Sequence, residues 1–365
     1  AALAGDLSAL PFLDKAAARA YPDELCDSRG ARRDRVHTFH TSGTTGTPVA
    51  TRLTTSELRD TQAVREARSA RWAGVSFSLP RATFSGRMAV PDPESRGPFY
   101  RYNLVEKQVY LSPFHLRRET AGRYVEALRR HRIQWLTGYA VSYYLLARFI
   151  LEDGHTPGPL TAVVTTSEKV TAGMRGVMER AYGCRVFEDY STVENALFAC
   201  QCELGSLHVS PDVSIVEILR PNGDPCEPGE DGEVISTCLM RRYQPLIRYR
   251  LGDRAAWSGQ PCECGREMPV LREIVGRIED VVIGPDGRQM VRFHGIFVDQ
   301  PHVAEGQIVQ EALDRVRVRV VPTDGFGPED VNDIVRRMKQ RLGSNVSIEV
   351  ETMTAIPRTA SGKLQ

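Results

Sequence analysis

Residues 133–190 place the tightest constraint on what this chain can fold into. IQWLTGY (133–139) is a short apolar run of strand type, and VSYYLLARFILEDG (141–154) is long enough for a mostly buried helix that stops at Gly154. TAVVTT (161–166) is a second apolar strand, TAGMRGVMERAYG (171–183) a second helix with Gly183 as its stop, and CRVFEDY (184–190) a third strand. Apolar spacing and segment length separate the two element types, and a glycine just past the last periodic residue ends a helix. Strand, helix, strand at this length is a βαβ unit, which demands parallel pairing.

The texture changes on either side. ETAGRYVEALRRH (119–131) has apolar positions at helical spacing, and VHTFHT (36–41) is a short strand. After residue 205, LHVSPDVSIVEIL, GEVISTCL and QPLIRYRLGDRAAW alternate as β-type runs, separated by the turn chemistry of PNGDPCEPGEDG. Near the end, VRVRVV (316–321), PEDVNDIVRRMKQRLG (328–343) and VSIEVE (346–351) read as strand, helix and strand. A chain of 365 residues exceeds one ordinary domain. The predicted fold class is α/β: a large N-terminal domain (1–276) with parallel βαβ sheet and a β-rich part, then a small α+β domain (277–365).

Lys+Arg is 47 against Asp+Glu 46, so the net charge of +1 argues against a coat for nucleic acid or other polyanions. Only five of those cations are lysine: Lys15, Lys107, Lys169, Lys339 and Lys363. No run of about 18 apolar residues occurs, so no membrane span is expected. AALAGDLSALPFLDK carries Asp6 inside its apolar stretch and lacks a basic leader, so no signal peptide is expected and the expected location is cytoplasmic. Eight cysteines are too sparse for a disulfide scaffold. Two C-x-C pairs, Cys200/Cys202 and Cys262/Cys264, point instead to metal.

Five segments carry candidate chemistry. Thr41–Pro48 (TSGTTGTP) offers hydroxyls and free N–H groups without bulk, as a polyphosphate cradle needs, or it is a polar turn; it is not a Walker loop. Glu188–Glu194 (EDYSTVE) follows a parallel strand, where ligands of open α/β sheets bind and a carboxylate can hold Mg²⁺, or it is a charged loop. Ile247–Asp253 (IRYRLGD) ends on an Asp able to accept two ribose hydroxyls, or it closes a strand with a Gly-Asp turn. Gly276–Asp280 (GRIED) lies at the domain junction. Ile356–Lys363 (IPRTASGK) puts a lysine on a Ser-Gly loop, or is a loose tail.

In this order these segments resemble the adenylate-forming superfamily of acyl-CoA synthetases and adenylation domains, from about residue 36 to the end. TSGTTGTP without a following lysine, TTSEKV (165–170), EDYSTVE, QCELGSLH (201–208), PLIRYRLGD (245–253), PCECGR (261–266) and GRIED resemble the phenylacetate-CoA ligase branch. IGPDGRQM and the Gln307–Gln310 segment resemble its CapK-like members.

The resemblance implies attack of a small carboxylic acid on ATP to form acyl-adenylate and pyrophosphate. Transfer to a thiol follows, with coenzyme A as the expected acceptor. It implies that Ser42, Gly43, Thr44, Thr45 and Gly46 hold the outer phosphates, and that Ser167 and Glu168 lie along the adenine with Tyr190 stacked on it. Asp189, Ser191 and Thr192 complete the nucleotide loop, Glu194 binds Mg²⁺, Asp253 holds the ribose and Arg277 contacts the nucleotide. Glu279 and Asp280 form the hinge of a mobile lid domain, and Lys363 is the adenylation lysine. A compact ammonium suits the neutralisation that attack of one anion on another requires.

The branch also implies a structural zinc held by Cys202, His208, Cys262 and Cys264, with Cys200 as the competing ligand, and a homodimer. Two departures stand out. Val193 replaces the hydroxyl residue that usually precedes the glutamate, and the phosphate loop comes early, implying a shortened N-terminal part that bears on the coenzyme A step. The acid pocket is expected between 76–110 and 133–145, with Trp135, Tyr139 and Tyr143 as walls suited to an aryl acid. Arg81, Arg87 and Arg101 are the cations that could meet a polar one. Alternative expectations are transfer of the acid, or another small oxyacid, to an amine, hydroxyl or carrier protein, and a catalytically silent nucleotide-binding relative.

Overall fold

The computed structural model describes residues 7–27, 34–40, 49–92, 94–274, 282–287, 289–290, 294–297, 300–354 and 356. The chain opens with a short helix α1 (Lys15–Ala20), capped by the Asp14 side chain, and an antiparallel hairpin of β1 (Val36–His40) and β2 (Ala50–Thr54). His40 pairs with Ala50, so the flanks of the Gly/Thr segment are brought together, while Ser42, Gly43, Thr44, Thr45 and Gly46 lie outside the described residues.

Helix α2 (Thr55–Arg65) starts on a capping box in which Thr54 and Glu57 exchange hydrogen bonds. Glu57 Oε1 also accepts the N–H groups of Arg242 and Tyr243, at 2.6 and 2.7 Å, tying α2 to a distant loop. A π-helical turn over Glu66–Ala70 continues α2.

Then follow β3 (Arg81–Phe84), β4 (Tyr100–Asn103), β5 (Gln108–Leu111), α3 (Arg118–Arg130), β6 (Trp135–Tyr139), α4 (Ala140–Asp153), β7 (Ala162–Thr166), α5 (Ala172–Tyr182) and β8 (Arg185–Ser191). The βαβ expectation holds to within a residue or two at each boundary. β5, β3, β6, β7 and β8 are neighbours in that order and pair in parallel. Gly154 and Gly183 cap α4 and α5 at φ 68° and 66°, the left-handed region where glycine is unstrained.

The β-rich part continues the same sheet. β9 (Phe198–Gln201), β10 (Leu207–Val209), β11 (Ser214–Leu219), β12 (Asp231–Cys238), β13 (Tyr249–Trp257) and β14 (Val270–Ile274) add antiparallel strands. The result is a 12-stranded sheet ordered β11-β12-β13-β14-β10-β9-β8-β7-β6-β3-β5-β4. Helices α3, α4 and α5 cover one face of its parallel part. There Phe84, Leu111, Tyr124, Leu136, Tyr143 and Val163 form the main core.

The C-terminal region builds its own core. β15 (Val282–Ile283) pairs with β16 (Gln289–Met290), and α6 (His294–Phe297) follows. β17 (Val303–Ala312), β18 (Arg315–Pro322) and β19 (Ser347–Thr352) form a three-stranded sheet, with α7 (Pro328–Leu342) as the crossover between the parallel pair β18 and β19. Ile334, Met338 and Leu342 recur on one face of α7 and meet Val316, Val318 and Val320. β17 is an addition the sequence reading did not mark. The predicted domain boundary at 276/277 lies outside the described residues. No helix among the described residues is long and apolar enough to cross a membrane.

Candidate active site

A cavity of about 1220 Å³ opens at the carboxyl ends of β3, β6, β7 and β8, and its lining includes Ser167, Glu168, Asp189, Tyr190, Ser191, Thr192, Glu194 and Asp253. These are the eight described residues expected on the nucleotide, and they come from three separate segments of the chain. Ser167 follows β7 with φ 78°, a conformation that costs a non-glycine residue energy and recurs at functional sites. Glu168 Oε2 accepts the Val141 N–H at 2.8 Å, which seats its carboxylate on the first turn of α4. Tyr190 donates its hydroxyl to Asp253 Oδ2 at 2.9 Å, so the two groups expected on adenine and ribose hold each other.

Glu194 is buried, and the Tyr249 hydroxyl donates to its Oε1 at 3.1 Å. Its carbonyl accepts from Arg241. Burial pushes the Tyr249 hydroxyl well up, and the neighbouring carboxylate adds to that, so Tyr249 remains a donor. Asn195 turns the chain at φ 49°, and Thr192 Oγ1 accepts the Ala196 N–H at 3.3 Å. Thr192 therefore closes its own loop.

Strand alternation sends Asp189 and Ser191 to the other side, towards α2. Ser69 donates to Asp189 Oδ2 at 2.7 Å, and Arg65 Nη2 donates to Ser191 Oγ at 2.9 Å. Burial pushes the Asp189 carboxyl up to about 6, against the Arg65 charge and the Ser69 hydroxyl. Arg65 Nε and Asp189 Oδ1 are buried atoms with no hydrogen-bond partner among the described residues.

A second cluster lies beside this cavity. The ligand atoms of Cys202, His208, Cys262 and Cys264 lie within 4.8 Å of one another. Cys202 Sγ and Cys262 Sγ are 3.8 Å apart, and Cys264 Sγ and His208 Nε2 are 3.4 Å apart. Tetrahedral bonds of about 2.3 Å to sulfur and about 2.0 Å to nitrogen require edges of roughly 3.8 Å and 3.5 Å. The donor set and its spacing therefore fit a closed tetrahedral metal site. Burial acts to raise the Cys262 thiol, but hydrogen bonds from Ser206 and Cys264 bring it down to about 6, while burial raises its neighbour Cys202. Two thiols this close do not ionise independently. Cys200 packs with Phe198 and Val213 in an apolar cluster instead.

The CapK C-terminal domain family matches residues 283–365. Protein CapK of Staphylococcus aureus is 26% identical over 307 residues, covering 80% of this chain and 65% of CapK. The phenylacetate-coenzyme A ligase of Thermus thermophilus is 24% identical over 407 residues, covering 99% of this chain and 86% of that enzyme. Residues 283–365 thus carry a CapK C-terminal domain, and the likenesses along the chain support an adenylate-forming branch of the CapK and phenylacetate-CoA ligase kind. The match spans just under two thirds of CapK's length. Among solved structures, 2-hydroxyisobutyryl-CoA ligase with 2-HIB-AMP and CoA in the thioesterification state shares the fold. Its TM-score is 0.61 at 21% identity, covering 98% of this chain and 80% of that one. An open conformation of the same ligase gives a TM-score of 0.56 at 20% identity, covering 97% and 80%.

Other branch residues expected at the site, Arg277, Glu279, Asp280 and Lys363, lie outside the described residues. The acid pocket needs a correction. Trp135, Tyr139 and Tyr143 are not among the residues lining the cavity; all three are buried core. The Trp135 indole donates to the Ser76 carbonyl at 3.1 Å, and the Tyr143 hydroxyl donates to the Ala82 carbonyl at 2.7 Å. Gly138, at φ 125°, breaks the alternation of β6, and Tyr139 joins the helix-side core. A Cβ at Gly138 would stand 1.9 Å from the Phe84 carbonyl oxygen.

Between α2 and the strands the cavity is instead lined by polar residues: Gln62 and Arg65 from α2, Thr83 from β3, Gln108 from β5 and Thr137 from β6. Sequence reasoning missed all five, having considered only Arg81, Arg87 and Arg101 as polar contacts over 76–110. β3 and β5 are too short and too polar to be read as core strands. The signal that could have located α2 is the Thr54-x-x-Glu57 capping box ahead of it.

Proposed function

We propose that this chain activates a small carboxylic acid with ATP, releasing pyrophosphate, and then passes the acyl group to the thiol of coenzyme A. The observation that carries this reading is the convergence of Ser167, Tyr190, Glu194 and Asp253 on one cavity at the carboxyl ends of parallel strands. In it, Tyr190 stacks on the adenine beside Ser167 and Glu168, and the Tyr190–Asp253 pair orients the ribose. Glu194 is the carboxylate that takes Mg²⁺, which supplies charge neutralisation at the phosphates when bound. Ser42, Gly43, Thr44, Thr45 and Gly46 cradle the outer phosphates, and Arg277 contacts the nucleotide. Region 277–365 closes over the site about Glu279 and Asp280 and delivers Lys363 to the reacting carboxylate and α-phosphate. That charge is needed only while two anions are forced together, so a closing element suits it.

Pyrophosphate release over a panel of small acids tests the reading. ATP- and acid-dependent release should fall by about 10²-fold or more in Lys363→Ala. No release with any acid overturns it. A product mass matching the acyl-CoA thioester, formed only when coenzyme A is present, tests the acceptor.

Cys202, His208, Cys262 and Cys264 are further proposed to hold a structural zinc, on the strength of their donor chemistry and spacing. Such a site would pin β10 to the loop before β14. Metal analysis should return about one zinc ion per chain, lost in Cys264→Ser. Purified protein without stoichiometric zinc would sink the assignment.

A further inference from the structure

We infer that the acid this chain takes is a small aliphatic acid carrying hydroxyl groups, recognised by hydrogen-bonding side chains between α2 and the parallel strands. The inference rests on the acid-activating reading above. Parallel strands covered on both faces are ordinarily apolar on both. Here the helix-side residues Ala82, Leu136, Val163 and Val186 obey that rule. The opposite face starts apolar, with Trp135, Ala162, Val164 and Phe187. It turns polar towards the carboxyl ends, where Thr83, Thr137, Thr166 and Asp189 line the cavity. Thr83 is in register with Thr137, and Thr166 with Asp189, so these groups stand side by side about 4.8 Å apart.

The direction of each hydrogen bond can be worked out. Arg81 can only donate, and its Nη2 lies 2.5 Å from Gln108 Oε1. The Gln108 amide nitrogen must then face Thr83, where it donates to Oγ1 at 2.6 Å. Thr83 Oγ1, having accepted, has its own proton left to donate into the cavity. Arg81 is itself balanced by Glu106 at 3.2 Å, and Arg87, over the Tyr110 ring, is a further cation lining the same cavity.

The other end holds two buried atoms without partners, Arg65 Nε and Asp189 Oδ1. One is a donor and the other an acceptor, and a hydroxyl is the small group that satisfies both. Among the described residues, the rings lining this cavity are Phe39, Phe77 and Tyr190. Phe77 is edge-packed on Trp135 with centroids 5.3 Å apart and is covered by the Arg81 guanidinium.

The test uses matched pairs of acids: lactate with propionate, and quinate with cyclohexanecarboxylate, with benzoate and phenylacetate as aryl probes. Pyrophosphate release should favour the hydroxylated member in kcat/KM by on the order of 100-fold or more. Thr83→Val and Thr137→Val should move the hydroxylated member towards its deoxy partner, whereas Thr83→Ser and Thr137→Ser should keep the preference. Calorimetric titration of the same pairs into the full chain with a non-hydrolysable ATP analogue reads the pocket without turnover. A hydroxyl preference in binding without pyrophosphate release supports the pocket and sinks the adenylation reading. Equal or better binding and turnover of the deoxy or aryl acids overturns the pocket and leaves adenylation standing. Failure of every hydroxylated acid to bind overturns the pocket as well.

Discussion

The same parallel strands present two faces with different chemistry. Towards α3, α4 and α5, Ala82, Phe84, Leu136, Val163 and Val186 are almost fully buried and make up the largest core. Towards α2, the carboxyl halves of those strands carry Thr83, Thr137, Thr166 and Asp189 around a cavity. Since strand residues alternate sides, each strand contributes to both faces at neighbouring positions. Stability and recognition are thereby separated by one residue step, and changes on the two faces should be separable by experiment.

The largest effect is expected on the core face. Leu136→Ala should lower unfolding free energy by about 2–5 kcal/mol in a denaturant titration, through lost burial and a residual cavity. It should not shift the preference among bound acids; a shift would mean the faces are coupled. Next comes Gly138→Ala at the strand end, where the two faces exchange. It meets the Phe84 carbonyl and a left-handed backbone at once, so a loss above about 1 kcal/mol is expected, together with weakened acid binding. A neutral result would show that β6 can relax there.

Tyr143→Phe should cost about 1–2 kcal/mol, because the Ala82 and Thr137 carbonyls lose their buried donor. It also tests whether anchoring of the core matters to Thr137 on the far face.

Asp189 offers a pH probe of the cavity face. Its carboxyl sits at about 6, above the ordinary 3.8, so between those values the folded chain binds a proton more tightly than the unfolded one. The stability this group contributes is therefore complete below about pH 4 and is lost as pH rises through about 6. Asp189→Asn should remove that component, seen as a smaller decline in urea midpoint from about pH 4 to about pH 7 than in the wild type. Identical pH profiles would show that Asp189 is not held in this environment. The smallest stability change is expected for Thr137→Val, within about 1 kcal/mol, despite its effect on recognition.

Legibility in the sequence followed the range of the interactions. The βαβ run and the glycine stops of α4 and α5 could be read directly, because helix spacing and chain termination are local. The order of TTSEKV, EDYSTVE and PLIRYRLGD likewise pointed to a common nucleotide site, and the cavity does unite their polar residues. The same kind of reading failed for the aromatic residues expected to line the cavity. Trp135 and Tyr143 are bulky and lie in the right stretch, but an aromatic ring looks alike in sequence whether it lines a pocket or fills a core. Register and the backbone of Gly138 decide the difference.

By itself, the sequence determined the parallel α/β architecture, the C-terminal strand–helix–strand unit and the donor types of the Cys/His cluster, because these depend on periodicity, capping and side-chain chemistry. Only the tertiary structure decided which residues meet. It joined Tyr190 to Asp253, Cys202 to Cys262, and Arg81 through Gln108 to Thr83. Those partners are far apart in the chain, and strand pairing and the packing of α2 set their approach. No local propensity encodes such contacts; they exist once the sheet has its register.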